Sequence, residues 1–364
     1  MRIEGFDPVA DTARIRACHE LYAAAQPVDD PVLPMMSLPV FTGWFSFGWT
    51  LCPREAWLVP GSRPGTAAAA CLAELPEREN THAAMISLVV APAERRGGIG
   101  TALLRHAARR AAGLGRTLLS GEAKEGSAGS AFAAAAGARP GVSDVRRILD
   151  PAGLTDGRLA TLRSTAGEAA RGYSLLSWRG PCPPEYLDQV ATLTNAFADA
   201  PHSPGEEAEH MTGERVRQTD ARTAVQGLRQ YTVVARHDET GELAALTALS
   251  VDPLQPDWGF QELTAVIRAH RGHRLGLLVK VAMLQQLAAA EPGLEHILTG
   301  NADSNSHMIA INDTLGFRPL DRFATWQLGV GRGGITRVTA CRRGRTAVTL
   351  GTPPRRSPAR PAQS

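Results

Sequence analysis

The sequence repeats itself, and this repeat restricts the possible folds more than any other feature. When the second half is moved back by 176 residues, Arg95 coincides with Arg271 and Gly100 with Gly276. A shift of 179 residues then aligns residues 118–140 with residues 297–319 without a gap. The three extra residues fall in the loop AAEPGLEH, where insertions are tolerated. A repeat of this length indicates two copies of a domain rather than a solenoid, whose units are much shorter.

Each copy shows the same order of predicted elements. An apolar strand (86–90 or 262–266) enters a turn rich in arginine and glycine, and an amphipathic helix follows. A second strand and a second helix come next. The second helix ends at Gly137 or Gly316, since glycine accepts the left-handed conformation of a helix stop. Further strands are predicted over residues 67–72, 231–235 and 243–250, and a helical connection over residues 150–172.

These patterns divide the chain into four segments. We expect a first domain in residues 1–150, a helical linker in 151–172 and a second domain in 173–328. Residues 329–364 hold eight arginines and no acidic residue, so this Pro/Arg-rich tail is predicted to be disordered. Because the whole chain carries +3, residues 1–328 carry −5, which argues against a nucleic-acid-binding body. No aromatic residues interleave with the arginines of the tail, and we expect a solvated appendage.

Composition excludes several other classes of protein. A hydrophobic content of 43% and a charged content of 21% are typical of a soluble globular protein. No apolar run approaches the roughly 20 residues that cross a bilayer, and the amino terminus lacks an export signal. The five cysteines are scattered and include no CxxC pair, so we expect reduced thiols, a cytoplasmic location and no metal site.

The turn between the strand and the helix has the features of an anion site. Unpaired backbone N–H groups and the helix dipole attract negative charge, and glycines in RRGGIG leave room for a diphosphate. Arginines beside the turn add charge-assisted hydrogen bonds. The turn is not a Walker loop, since no Gly-Lys-Ser/Thr follows. It is not a dinucleotide fingerprint, since the spacing is RxxGxG and no acidic residue ends the next strand.

Two motifs give the sequence a family resemblance. VVAPAERRGGIG in the first copy and TGNADSNSHMIAINDTLGF in the second resemble the GCN5-related N-acetyltransferase (GNAT) family. The resemblance implies an α/β chain of two tandem GNAT-like domains, each with a mixed, mainly antiparallel central sheet, helices on both faces and a splayed strand pair. It also implies that the turn binds the pyrophosphate of acetyl-CoA and that the pantetheine arm lies between the splayed strands. The tandem arrangement resembles mycothiol synthase of high-GC bacteria.

The resemblance assigns binding of acetyl-CoA to both turns and to one asparagine. Asn305 should bind the pantetheine arm, and its alternative role is a helix cap. The second turn carries Arg274 where the first has Gly98, and its backbone donors survive if that side chain points outward. The predicted coenzyme-binding residues are Val90, Arg95, Arg96, Gly97, Gly98, Ile99 and Gly100 in the first copy, and Val266, Arg271, Gly272, His273, Arg274, Leu275, Gly276 and Asn305 in the second.

The family commonly uses a glutamate base on the strand before the turn, and Glu262 occupies that strand. Its apolar neighbours should raise its pKa by desolvation, which suits a base; the alternative is a strand-edge glutamate facing solvent. Ile86 is aligned with it in the first copy, and Gln261 faces the opposite way. Asn312 stands where the family has a tyrosine that meets the departing thiolate. It can donate a hydrogen bond but no proton, which leaves solvent or His307 as the acid.

The first copy lacks an obvious catalytic residue, so we expect it to brace the fold and the second copy to be catalytic. An active first copy would need a base from the stretch ELPERENTH, which we interpret as a hairpin turn; the candidates are Glu74, Glu77, Glu79 and His82. The aromatic stretch with Trp44 and Trp49 is interpreted as core. The acidic loop with Glu206, Glu207 and Glu209 is expected to be a solvated face. If it borders the acceptor site, it would favour a cationic amine as the acceptor.

Together these features predict an acetyl-CoA-dependent N-acetyltransferase. The amine of a small molecule or peptide would attack the thioester directly. The alternative is a coenzyme-A-binding regulatory or scaffold protein without turnover.

Overall fold

The computed structural model describes residues 1–47, 52–196, 203–331 and 334–335. In the first half, strands and helices alternate in an α/β arrangement. The strands are β1 (Glu4–Phe6), β2 (Arg54–Pro60), β3 (Ala67–Glu74), β4 (Ala83–Val90), β5 (Leu118–Lys124) and β6 (Arg139–Leu149), and the helices are α1 (Thr12–Asp29), α2 (Leu38–Phe47), α3 (Ile99–Gly113) and α4 (Ala128–Ala135).

The second half repeats this order after the linker helix α5 (Asp156–Ala169), which confirms the predicted helical connection. Its strands are β7 (Tyr173–Arg179), β8 (Arg229–His237), β9 (Leu243–Val251), β10 (Trp258–Val266), β11 (His296–Ala302), β12 (Arg318–Gly331) and β13 (Gly334–Ile335). Its helices are α6 (Leu187–Asn195), α7 (Gly213–Val225), α8 (Leu275–Ala290) and α9 (Ser306–Leu315). The second helices end at Gly137 and Gly316 as predicted, with φ of 89° and 90°.

The strands join in one sheet in which the halves exchange their last strands. The order is β1-β2-β3-β4-β5-β12-β6-β11-β10-β9-β8-β7, and β13 pairs with β12. Strand β12 of the second half lies against β5, and β6 of the first half lies against β11. Strands β6 and β12 pair with each other in the centre. The sequence boundary near residue 150 therefore does not divide the sheet.

The predicted splayed strand pair is present in both halves. Strands β4 and β5 run parallel and pair only from Ala83 to Met85, although β4 has eight residues. Strands β10 and β11 likewise pair only from Trp258 to Phe260. All other pairs in the sheet are antiparallel, which confirms the predicted mixed, mainly antiparallel sheet.

Helices cover both faces of the sheet, since neighbouring strand residues enter different cores. Leu58 and Leu72 pack with α1 and α2, whereas Trp57 and Cys71 pack with α3. In the second half, α5 and α8 form the core on one face, and α6 and α7 form it on the other. Within the described residues, no helix is long and apolar enough to cross a membrane.

The stretch ELPERENTH connects β3 to β4, as predicted for a hairpin, and it also docks onto the second half. Asn80 exchanges three hydrogen bonds with Glu207 at 2.8–2.9 Å. Glu79 accepts from Arg215 at 3.1 Å and from the backbone of His210 at the same distance. The halves are thus joined on their surfaces as well as through the sheet.

The carboxyl end of the second domain extends beyond the predicted boundary at residue 328. Strand β12 continues to Gly331, and the short strand β13 pairs with it in antiparallel orientation. The remainder of the tail, 336–364, lies outside the described residues, as does Trp49.

Candidate active site

The two arginine- and glycine-rich turns share one backbone conformation. Each contains two left-handed residues: Arg96 (φ 69°) and Gly98 (82°) in the first, Gly272 (93°) and Arg274 (53°) in the second. Arginine and glycine have exchanged places between the copies. Arg274 adopts the conformation of Gly98, at a cost of about 1–2 kcal/mol for a residue with a Cβ. The loss of one glycine has therefore not changed the turn.

Both turns present helix N-termini that suit an anion. Within the described chain, no side chain caps α3, which begins after Gly98, or α8, which begins after Arg274. A Cβ built at Gly98 or Gly272 would meet no atom within 4 Å, so these positions face open space. The residues present thus fit a diphosphate at either helix start.

The motif arginines brace the turns. Arg95 Nε donates to the Val90 carbonyl at 3.0 Å, and Arg271 Nε donates to the Val266 carbonyl at 3.4 Å. Each arginine thereby ties its turn to the end of the preceding strand. Arg95 also forms a bidentate ion pair with Asp29 at 2.8 and 2.7 Å. Its guanidinium is therefore held by a carboxylate of the chain, which was not foreseen for a predicted phosphate ligand.

Other predicted coenzyme-binding residues serve helix packing. A Cβ at Gly276 would lie 3.1 Å from Ile311, and one at Gly100 would lie 3.5 Å from Phe132, so both glycines allow close approach of the following helix. Leu275 is buried. Ile99 packs against the core beneath α3, Gly97 lies beside the Glu94 carbonyl, and His273 Nδ1 lies 3.2 Å from the Ala169 carbonyl oxygen.

Glu262 lies in a β-bulge of strand β10. Gln261 is opposite Leu249 of β9, and Leu263 is opposite Ala248, the next residue on β9. Glu262 is therefore an extra residue in the pairing. Gln261 Nε2 donates to the Ala248 carbonyl at 2.5 Å, which holds the bulge closed. A bulge turns two consecutive side chains to one face, and both Glu262 and Leu263 line the same cavity.

The first half has no such bulge. Strands β3 and β4 pair in unbroken register, and Ile86 packs into the core beneath α3. Ala73 and Leu249 are equivalent in the repeat, since they lie 176 residues apart. Ala73 pairs with Ile86, whereas Leu249 pairs with Gln261. The alignment of Glu262 with Ile86 is therefore wrong by one residue, because a shift of the sequence cannot show which residue leaves the pairing.

The cavity in front of Glu262 lies between helices α6 and α7 and strands β8–β10, with a volume of about 180 Å³. Glu262 is surrounded by other residues of the protein. The exposed part of its side chain faces the cavity. Its Oε1 accepts a hydrogen bond from Ser250 Oγ at 2.5 Å. Burial raises the pKa of Glu262, against the opposing effects of the Ser250 hydroxyl and the Arg222 charge. This direction is the one expected from the sequence.

Two further charged groups reach the cavity. The Asp220 carboxylate accepts from the backbone N–H of Cys182 at 2.9 Å, and burial raises its pKa. Arg222 is 8% exposed, and burial lowers its pKa although Glu262 opposes this effect. Neither residue was predicted. For Asp220, helical spacing of residues 216, 219, 220 and 223 on one side of α7 was the available signal.

The equivalent space in the first half is filled with aromatic side chains. Phe41 and Phe45 are fully buried, and their rings stack at 5.3 Å. Trp44 packs edge-on against Phe41 at 5.6 Å, which confirms that it belongs to the core. Tyr22 donates to or accepts from Ser87 Oγ at 2.8 Å. Among the described residues, aromatic side chains therefore occupy the position that the cavity has in the second half.

Asn312 is fully buried in a polar chain beneath α8. Its Nδ2 donates to Asn301 Oδ1 at 2.6 Å, and its Oδ1 accepts from Lys280 Nζ at 2.7 Å. The Asn312 side chain is thus engaged at both ends, and the predicted contact with a thiolate does not fit this geometry. Asn305 caps α9 by accepting from the Met308 N–H at 3.2 Å, its alternative role. His307 is exposed.

Known proteins share this architecture. Residues 15–126 match the model of the acetyltransferase (GNAT) family. A tandem GNAT protein from the clavulanic acid biosynthesis pathway is 29% identical, with a TM-score of 0.76, over 91% of this chain and 99% of that chain. The chain therefore shares the architecture of a tandem GNAT protein. The GCN5-related N-acetyltransferase of Sphaerobacter thermophilus shares the fold at 16% identity, with a TM-score of 0.57, over 90% of this chain and 95% of that one. No curated protein matches the sequence significantly.

The remaining predicted carboxylates do not line the cavity. Among the candidate bases of the first half, Glu74 is paired with Arg54 at 2.5 Å and Glu79 with Arg215. Glu206 accepts from the Ser203 N–H, Glu207 contacts Asn80, and Glu209 pairs with Arg215. The carboxylates that line the cavity are instead Asp220 and Glu262. No group of three or more potential metal ligands occurs among the described residues.

Proposed function

We propose that the second half transfers an acetyl group from acetyl-CoA to the primary amine of a small molecule or peptide. The observation that carries this proposal is the bulge at Glu262, which directs one carboxylate into a cavity at the end of the splayed strands. In the described part of the first half, β4 has no such bulge, and aromatic side chains occupy the position of the cavity. The tandem GNAT fold supports acyl transfer in general.

The residues of the second half have separate roles in this proposal. The start of α8, with the backbone of Gly272 to Gly276, holds the diphosphate, and the gap between β10 and β11 admits the pantetheine arm. Acetyl-CoA supplies the acetyl group as a thioester. Glu262 takes a proton from the amine nitrogen as the nitrogen attacks the thioester carbon. The C–S bond then breaks, and coenzyme A leaves as a thiolate that takes a proton from solvent. The raised pKa of Glu262 makes it a stronger base than a carboxylate in bulk water.

A specific observation favours a second function for the first half. This half keeps the complete RxxGxG motif and matches the family model, yet aromatic side chains fill its acceptor space. In this second function, the first half binds the coenzyme and transfers no acyl group. If the second half were also inactive, the whole chain would be the regulatory or scaffold protein that the sequence left open.

One experiment separates these functions. Release of free thiol from acetyl-CoA is measured with a broad set of amines for the wild type, Glu262→Gln and the exposed control Glu295→Gln. Coenzyme affinity is measured by calorimetry on the same proteins. Glu262→Gln should lower kcat by about 10²–10⁴-fold and leave coenzyme affinity unchanged, as expected for loss of a general base. The control should behave as the wild type.

The alternatives predict different results. Equal rates for Glu262→Gln and the wild type would remove Glu262 from the reaction. A wild type that binds coenzyme but acetylates no amine would favour the scaffold protein. A flat calorimetric trace would contradict both functions.

A further inference from the structure

Gln226 carries an unpaired amide at the wall of the acceptor cavity. The residue follows the last turn of α7 and is 1% exposed. Neither its Nε2 nor its Oε1 has a hydrogen-bond partner among the described residues. Buried amides are almost always paired, because an unpaired one loses its hydration without replacement. Such a group in a cavity beside a candidate base indicates a partner that arrives with the substrate.

The first half holds this amide in place. Gly43 of α2 packs against the stem of Gln226, and a Cβ at Gly43 would lie 2.3 Å from Gln226 Cγ. Only glycine leaves room for the stem at this contact. The side chain is therefore pressed between α2 of the first half and the cavity of the second half. This contact gives the first half a role in the acceptor site.

The cavity limits the size of the part of the acceptor that it encloses. Its volume of about 180 Å³ is close to the ~150 Å³ that holds a benzene molecule. A small amine with a few further heavy atoms fits this space. Gln226 and Glu262 both line it, so such an amine can meet the carboxylate with its nitrogen and the amide with its other end.

From this arrangement we infer that Gln226 recognises a neutral group of the acceptor that both donates and accepts hydrogen bonds, an amide or a hydroxyl. The inference rests on the proposed acetylation of small amines in this cavity. A primary amide satisfies Nε2 and Oε1 together, and a hydroxyl can do so as well. A carboxylate would satisfy Nε2 alone, and a second ammonium would satisfy Oε1 alone. Sites built to pair a polar group discriminate strongly against analogues that lack it.

The test uses matched amines of nearly equal shape. Ethanolamine is compared with propylamine, and glycinamide with isobutylamine; glycine and ethylenediamine supply the charged alternatives. Acetyl-CoA-dependent thiol release gives kcat/KM for the wild type, Gln226→Met and the exposed control Gln218→Met on the same helix. Gly43→Ala, which displaces the Gln226 stem without changing the amide, is a second variant. Coenzyme affinity and Tm are measured for all four proteins.

The wild type should prefer the hydroxyl or amide member of each pair by at least about tenfold in kcat/KM. In Gln226→Met and Gly43→Ala this ratio should approach one at unchanged coenzyme affinity, and Gln218→Met should keep it. Gln226→Met should also raise Tm by roughly 1–3 °C, because an unpaired amide leaves the interior. If Gln226 only stabilised the fold, its replacement would lower Tm.

Several results would overturn the inference. These are a wild type with equal kcat/KM within each pair, a preference for glycine or ethylenediamine, or a ratio that survives in Gln226→Met. A wild type that acetylates other amines but neither ethanolamine nor glycinamide counts against it equally. Absence of coenzyme binding would instead contradict the proposed function, so the two failures are distinguishable.

Discussion

Lys280 of α8 places an amino group in the protein interior, and replacing this residue with methionine should stabilise the protein. It is 2% exposed, its Nζ donates to Asn312, and it lies 4.8 Å from the centre of the Phe317 ring. Burial lowers its pKa from 10.5 to about 7. In the first half, Leu104 stands at the aligned position and is likewise buried.

The magnitude follows from this pKa. The unfolded chain holds the proton about 3.5 pH units more tightly, which at 1.36 kcal/mol per unit gives a penalty on the order of 5 kcal/mol. The penalty is complete below pH 7, where the folded protein must also carry the charge, and it disappears as the pH rises towards 10.5. Loss of the Lys280 hydrogen bond leaves the Asn312 oxygen unpaired, at about 1–3 kcal/mol. Lys280→Met should therefore gain about 2–4 kcal/mol at pH 7.

Two assays test this expectation. Urea unfolding at pH 7, 8, 9 and 10 should show that wild-type stability rises relative to Lys280→Met by on the order of 3 kcal/mol. The chain contains only two lysines, Lys124 and Lys280, so ¹³C labelling at the lysine ε-carbon gives two signals, and the variant assigns them. A Lys280 signal that titrates near 10, or a variant destabilised by the same amount at every pH, would refute the reasoning.

Three further results are expected. The rate of acetyl transfer should fall as the pH drops through the raised pKa of Glu262, above the ordinary value of 4.5 for a glutamate, and a kcat–pH profile without this limb would exclude Glu262 as the base. Gly276→Ala should lower the free energy of unfolding in urea by about 1–3 kcal/mol, because the added Cβ crowds Ile311. Gly100→Ala should be neutral or slightly stabilising, and equal losses in both variants would contradict the packing role of Gly276. Asn80→Ala should lose about 2–3 kcal/mol, since it removes the two side-chain hydrogen bonds with Glu207 and places alanine at a left-handed residue (φ 54°). Asn80→Gly removes the same hydrogen bonds without the backbone strain, and unchanged urea midpoints in both variants would show that these bonds do not stabilise the contact between the halves.

The sequence predicted those features that depend on local pattern. The strands before each turn, the amphipathic helices after them and the left-handed stops at Gly137 and Gly316 follow from residue periodicity and from glycine. The direction of the Glu262 pKa also agrees with the expectation, although the carboxylate lies beside Ser250 and Arg222 as well as apolar residues. Lys280 could have been noticed as the one charge in the apolar helix LGLLVKVAMLQQLAAA.

Other features depend on pairings that no local pattern encodes. The bulge at Glu262 is a difference of one residue between neighbouring strands, and a repeat alignment without gaps conceals it. Strands β6 and β12 are alike in pattern, so hydrophobic periodicity cannot say which neighbour each one joins. Arg95 was expected to bind phosphate because of its position, but Asp29, distant in sequence, engages its guanidinium.

The exchange of β6 and β12 makes each copy of the repeat dependent on the other for its own folding. Deleting either copy would strip a central strand from the survivor and expose a long row of unpaired peptide groups. A duplicated gene that has passed through such an exchange cannot discard either copy, whether or not that copy performs chemistry. The shared sheet is therefore a sufficient reason for both copies to be retained.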